Sequence, residues 1–289
     1  MSDDVLDEKS GHRPVPIGAP QPPESLFLTP NRMPRPPWEQ RLLATAIPLA
    51  ASAQAATETP AVSWGVGPSV LLVHGWQGRG TQLGHFVAPL VRTGRRVIAV
   101  DAPGHGDSSV GWFTPVAFAD ALLRLQDEVG PLDGIVAHSM GAVAVMAAAR
   151  DGLRAARLAL IAPIRSFTDV LRRAGRACGY PSDTPAGAEY LTRASEALGR
   201  PLADLDLDLD RLGGAPVLLC HDANDATINV HSTRQLARDW PDAAFIETEG
   251  LGHEGIIVDP EVIGLIVDHL TAAPRAGTRR SPGAGSAGR

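Results

Sequence analysis

The chain has 289 residues, 44% of them hydrophobic, enough to bury a large core within one α/β domain. Its net charge is −6 and its 26 basic residues are spread along the chain, which argues against a nucleic-acid footprint. No apolar run approaches the length of a membrane span, and the two cysteines, Cys178 and Cys220, match no metal or redox spacing and read as free thiols of a cytoplasmic protein.

Residues 1–37 are rich in proline and polar groups and lack apolar periodicity, so a disordered or loosely draped arm is expected. A helix is predicted over residues 38–46. The stretch 42–56 is apolar and Ala-rich, and Ala53-Gln54-Ala55 resembles a signal-peptidase site. About forty residues precede it, too many for a charged leader region, so the stretch reads as a packed or surface helix. Residues 61–64 suggest a strand and 65–68 a turn. Val70-Leu71-Leu72-Val73 is a continuous apolar strand of the parallel kind, buried on both faces, and it ends at His74-Gly75-Trp76. A helix over 83–92, a strand over 97–100 and a loop over 101–108 follow. Thr114 caps a helix that has Pro115 at its first position and runs to about residue 129. Strands at 134–137 and 158–161 bracket an Ala-rich helix at 142–150.

This alternation of short apolar strands and amphipathic helices implies a parallel sheet with right-handed crossovers. It is interrupted over residues 163–213, which carry helical stretches but no buried strand. There Phe167, Val170, Leu171, Ala174 and Cys178 share one helical face, and Arg165, Asp169, Arg172 and Arg176 the other. Such an insertion is a candidate lid, with Phe167 and Leu171 expected to line the substrate pocket and the arginine face expected to be solvated. The sheet resumes at 216–220 and 243–246. Asp259 caps a last helix that begins with Pro260. Residues 274–289 are Gly, Ala, Pro, Ser and Arg and are expected to be a disordered tail, leaving a domain of residues 38–273.

The chemistry centres on Ala137-His138-Ser139-Met140-Gly141. A serine at a strand-to-helix junction with small residues two before and two after it is a nucleophile elbow, which lifts the hydroxyl above the sheet edge. The helix N-terminus aims free N–H groups at an oxyanion formed beside it. A serine hydroxyl also needs a base to take its proton and an acid to orient that base. The two resumed strands supply both just past their C-terminal ends, in His221-Asp222-Ala223-Asn224-Asp225 and Leu251-Gly252-His253-Glu254-Gly255. Ligands bind at that edge of a parallel sheet. His74, His105, His138 and His221 also fall near strand ends, but no pair has metal-ligand spacing, so no metal is expected.

On these motifs residues 61–270 resemble the α/β-hydrolase superfamily: a mostly parallel sheet with helices on both faces and a small helical lid insertion. The resemblance implies Ser139 as nucleophile, His253 as general base and then acid, and Asp225 as the orienting carboxylate. It implies an oxyanion hole from the backbone N–H groups of Trp76 and Met140, and a structural role for the 101–108 loop. Two positions depart from the family pattern: Ala137 replaces a glycine, and Asp222 replaces the glycine after His221, placing a rival carboxylate three residues before Asp225. The implied activity is hydrolysis of a carboxylic ester of a small-to-medium acyl substrate, without a cofactor. The same triad serves acyl transfer or perhydrolysis, and a non-catalytic ligand-binding module on the same fold is the remaining alternative. Dehalogenases and epoxide hydrolases of this fold use an aspartate nucleophile, so Ser139 counts against both.

Overall fold

The computed structural model describes residues 29–49 and 58–273. The tail, most of the arm and the Ala53-Gln54-Ala55 site lie outside the described residues. Among the described residues eight strands form one sheet: β1 (Ile47–Pro48), β2 (Ala61–Trp64), β3 (Ser69–Val73), β4 (Arg96–Val100), β5 (Leu132–His138), β6 (Ala155–Ile161), β7 (Val217–Asp222) and β8 (Ala244–Thr248), in the order β1-β2-β4-β3-β5-β6-β7-β8. Pairing is antiparallel at β1/β2 and β2/β4 and parallel everywhere else. β3 lies between β4 and β5, with Val73 opposite Val100 on one side and Ala137 on the other. All five of its residues are buried. The strand separates two apolar cores: Leu71 and Val73 face one, Val70 and Leu72 the other. That two-sided burial is why its sequence reads as an unbroken apolar run. Each such side chain contributes about 1.5–3 kcal/mol by leaving water.

The helices cover both faces. α1 is Pro37–Leu43, α2 Val87–Arg92, α3 Pro115–Val129, α4 Met140–Arg150, α5 Phe167–Ala177, α6 Pro185–Leu198, α7 His231–Asp239, α8 Gly252–Gly255 and α9 Pro260–Thr271. α2 and α9 fill the core that holds Val70 and Leu72, with Leu90, Ile263 and Ile266. α3, α4 and the insertion fill the other, with Phe118, Leu122, Val143 and Met146. Caps fix the starts: the Thr114 hydroxyl accepts from Ala117 N at 3.0 Å, and the Asp259 carboxylate from Glu261 N and Val262 N.

Three sequence expectations differ from the structure. The helix of residues 38–46 and its apolar continuation stop early: α1 ends at Leu43, and Ile47 and Pro48 pair with Ser63 and Val62. Pro48 disfavours helical geometry at the residue before it, and an extended Ile47 suits the sheet edge. The helix of residues 83–92 starts as a 3-10 stretch over Gly80–Phe86, where Gly84 lies beneath Trp38 and Leu42 of α1 with no room for a Cβ. Residues 29–36, read as part of a loose arm, are engaged. Arg32 Nε donates to Gly104 O at 3.0 Å, and Arg35 reaches Asp107 at 2.6 Å and Asp101 at 3.2 Å. Apolar periodicity carries no signal for an irregular segment held by arginine side chains.

Candidate active site

Ser139 sits between the end of β5 and the start of α4 with φ 52° and ψ −118°, a region that L-residues rarely adopt. The strain, about 1–3 kcal/mol, persists because the turn is held on both sides. Ser139 N donates to Ile161 O at 2.9 Å, and Ser139 O accepts from Ala142 N at 3.0 Å. Gly141 lets the helix approach β3: a Cβ there would stand 2.6 Å from the carbonyl oxygens of Val73 and His74. Ala137, in place of the family's glycine, is fully buried in register with Val73 and Leu160.

The turn after β3 reaches the same point. A Cβ on Gly75 would stand 3.0 Å from the Ser139 Cβ, so Trp76 follows directly on the serine's neighbour. Two buried histidines build this turn. His74 Nδ1 donates to Gly75 O at 2.7 Å while its Nε2 accepts from Ala102 N at 3.0 Å. His105 Nδ1 donates to Pro103 O at 2.9 Å, and its Nε2 accepts from Gln77 N at 3.1 Å, which holds Gln77 at φ 58°. Both rings are neutral in these roles; burial lowers His74 to about 4 and His105 to about 3. Arg79, at the end of the turn, forks onto Glu39 of α1 with two contacts of 2.6 Å, and Thr81 Oγ1 adds a third bond to the same buried carboxylate. Met140 opens α4, so its N–H is among those at the helix start without an intrahelical acceptor.

His253 lies on α8, and its Nδ1 is 2.7 Å from Asp225 Oδ2. Asp225 Oδ1 accepts from Thr227 N at 2.7 Å and Ile228 N at 2.8 Å. Burial alone would raise the Asp225 carboxyl, but the bonds from His221, His253 and Ile228 N outweigh it and hold the group well below the usual carboxylate range. The rival carboxylate points elsewhere: Asp222 accepts from Asn224 N at 2.9 Å, Thr248 Oγ1 at 2.8 Å and Leu251 N at 3.0 Å. It joins the two loops that carry Asp225 and His253. His138 links the Ser139 turn to His253: its ring lies 4.6 Å from that of His253, and its Nε2 donates to His253 O at 3.1 Å. Burial lowers His138 to about 3 and keeps it neutral. The four histidines weighed for a metal thus have separate backbone and side-chain partners, the fourth being His221, bonded to Thr233 and Ile228.

A cleft of about 590 Å³ opens beside Asp225, lined by Ile164, Arg165, Ser166, Asp169, Arg173 and the 225–229 loop among others. Ser139, His253, Phe167 and Leu171 are not part of that lining. Phe167 and Leu171 are buried with Tyr190, Ala194 and Leu205 in the core beneath the insertion. Of the apolar face expected on α5, Phe167 and Leu171 are buried and Val170 and Cys178 partly so, whereas Ala174 is exposed and Gly175 is buried instead; this face packs inward on the protein and leaves Asp169 and Arg173 along the cleft. Burying it against α6 removes apolar area from water whether or not a substrate is present, and that gain decides the orientation. The sequence reading missed His221 as a partner of Asp225 and Glu39 as the anchor of the Arg79 turn. The signal for the first was a histidine just past a buried strand, four residues before the acid.

The profile of the alpha/beta hydrolase family matches residues 70–263. The chain belongs to this family. It is 28% identical over 251 residues to a pimeloyl-(acyl-carrier protein) methyl ester esterase of Aromatoleum aromaticum, a match that covers 70% of this chain and 98% of that protein. It is 38% identical over 81 residues to the non-heme chloroperoxidase CPO-A1 of Kitasatospora aureofaciens, covering 27% of this chain and 30% of that protein. Among solved structures, a bacterial membrane phospholipase A superposes with a TM-score of 0.59 at 20% identity, covering 82% of this chain and 90% of that one. The 2-hydroxy-6-oxo-6-phenylhexa-2,4-dienoate hydrolase of Rhodococcus sp. strain RHA1 gives 0.57 at 15% identity, covering 79% and 100%. These two likenesses are likenesses of fold.

Proposed function

We propose that the protein is a serine hydrolase that cleaves a carboxylic ester of a small-to-medium substrate through an acyl-enzyme on Ser139. The observation that carries this reading is the 2.7 Å contact of His253 Nδ1 with Asp225, on a histidine that His138 ties to the strained Ser139 turn. A histidine held by its Nδ1–H leaves Nε2 as the basic nitrogen. Nε2 takes the Ser139 proton as Oγ attacks the ester carbonyl carbon. The N–H groups of Trp76 and Met140 receive the developing oxyanion. His253 then protonates the departing alkoxide, and the acyl group remains on Oγ. Water, deprotonated by His253, attacks the acyl-enzyme; His253 returns that proton to Ser139 Oγ as the carboxylic acid leaves. The esterase relative aligned over nearly its whole length supports ester cleavage.

The local match to a chloroperoxidase favours one second reading, perhydrolysis, in which hydrogen peroxide replaces water as the acyl acceptor and a peracid leaves. Two unpaired cysteines fit a reducing cytoplasm, the location proposed here. Among the described residues no helix is long and apolar enough to cross a membrane.

The test is turnover on chromogenic esters of graded acyl length, with and without hydrogen peroxide. Ser139→Ala should lower kcat by about 10³-fold or more. Retained turnover in that variant would end the serine mechanism, and peracid as the dominant product would select the second reading.

A further inference from the structure

The Asp225 carboxylate has a second imidazole on it. His221, at the end of β7, is buried, and its Nε2 lies 3.2 Å from Asp225 Oδ2, the same oxygen that receives His253 Nδ1. The tautomer of His221 follows from its other partners. Nε2 is 2.9 Å from Ile228 O, which can only accept, so Nε2 carries the proton. Nδ1 is then the acceptor and takes the hydroxyl proton of Thr233 on α7 at 2.6 Å. One N–H is thereby shared between the Ile228 carbonyl and Asp225 Oδ2, while Ile228 N and Thr227 N fill Oδ1. Both carboxylate oxygens are held by donors from the chain, and the loop that carries Asp225 is closed on the end of β7 by the same ring.

We propose that His221 is a positioning residue for the reaction, a second histidine that aims Asp225 at His253 and makes that carboxylate a weaker base. This rests on the triad reading above. The consequence concerns the proton. In the transition state His253 is a cation beside Asp225, and the proton must stay on His253 to reach the leaving alkoxide. A donor on the far side of Oδ2 draws off carboxylate charge and opposes transfer of the Nδ1 proton to Asp225. Thr233 sets the ring so that its Nε2–H, and not a bare lone pair, meets the acid.

The other charged groups around this ring are few. Asp222 lies next to it on β7 and is engaged with the 248–252 segment. Glu247, opposite His221 in β8, is held at 2.5 Å by Arg234 of α7. His138 packs against His253, with ring centroids 4.6 Å apart.

The experiment uses the full chain with a chromogenic ester. In His221→Gln the amide nitrogen falls near the Nε2 position and keeps a donor, whereas His221→Leu fills the space without one. The expected result for His221→Leu is a kcat lowered about 10- to 100-fold, the loss of a hydrogen bond to a buried charge, with KM within about twofold. The acid limb of its kcat/KM profile moves to higher pH, because a more basic Asp225 favours the protonated form of His253. His221→Gln recovers most of the kcat and the wild-type limb. Thr233→Val is the second variant should His221→Leu fail to fold; it gives the same upward shift with a smaller loss of kcat. A folded His221→Leu with wild-type kcat and pH profile overturns the inference. So do equal losses in the Leu and Gln variants with an unmoved pH profile, or an unchanged Thr233→Val where the Leu variant does not fold. Asp225→Asn separates the two levels: turnover that survives it removes the triad reading itself, whereas its loss beside a fully active His221→Leu removes only the role of His221.

Discussion

Ser139, Asp225 and His253 come from three loops that follow β5, β7 and β8, and each is fixed by a different local device. A strained backbone holds Ser139, two loop N–H groups and a second histidine hold Asp225, and the neutral His138 holds His253 by its carbonyl. Asp222 shows how environment divides two carboxylates three residues apart. Its bonds to Leu251 N and Thr248 Oγ1 tie the acid loop to the start of the histidine loop, so its substitution acts on stability. Asp222→Asn should lower stability by about 1–3 kcal/mol in a chemical denaturation curve, with kcat within about tenfold of wild type, because the amide replaces an acceptor that a charge had strengthened. A loss of turnover like that of Asp225→Asn, without loss of stability, would reassign the acid. The elbow and the His253 loop were legible in sequence because both depend on residue types at fixed offsets. The choice of Asp225 over Asp222 came from the family resemblance alone, since each is an acid in a turn and only the direction of the side chain, towards His253 for Asp225, separates them.

At the scale of elements, the arrangement of the turn after β3 depends on a helix before the sheet. Glu39 of α1 is almost fully buried and takes both nitrogens of the Arg79 fork and the Thr81 hydroxyl. Removing one charge from a buried pair strands the other, at a cost of about 3–5 kcal/mol. Glu39→Gln should therefore lower thermal stability markedly and, in the protein still folded, weaken binding of a boronic acid transition-state mimic, because residues 75–79 lose their anchor. Thermal melts and inhibitor titration check both; an unchanged melting temperature would mean that α1 does not brace the turn. α1 and the pinned residues 29–36 precede the family-matched region, so no family motif pointed to them. The strands of the parallel sheet, by contrast, announced themselves through continuous apolar runs buried on two faces. The insertion was legible as helical and amphipathic, while the direction of its apolar face was not, because helical periodicity gives a face without saying what it meets.

For the whole molecule, buried neutral histidines set the response to acid. Burial brings His74 to about 4 and His105 and His138 to about 3. In the unfolded chain the same groups protonate near 6.5. Between those values the unfolded state binds more protons, so the stabilisation is complete above about pH 6.5 and is lost as pH falls towards 4. Each histidine contributes about 1.4 kcal/mol per pH unit and the three together up to about 4 kcal/mol per unit. Asp225, held low by its donors, adds a further loss only at more acidic pH. Asp101, raised by burial ahead of its bonds from Asp107 N and Gly80 N, works in the opposite sense and gains stability as pH falls. Chemical denaturation at pH 7, 6 and 5 should show stability falling ever more steeply; a flat profile over that range would mean that these rings accept protons in the folded protein.

All of this converges on one hydroxyl, and the most direct measurement is covalent. Incubation with a fluorophosphonate, followed by mass spectrometry of the digested protein, should place a single adduct on the peptide containing Ser139, and Ser139→Ala should carry none. An adduct on another residue, labelling that persists in Ser139→Ala, or a folded wild-type protein that remains unlabelled would contradict the account.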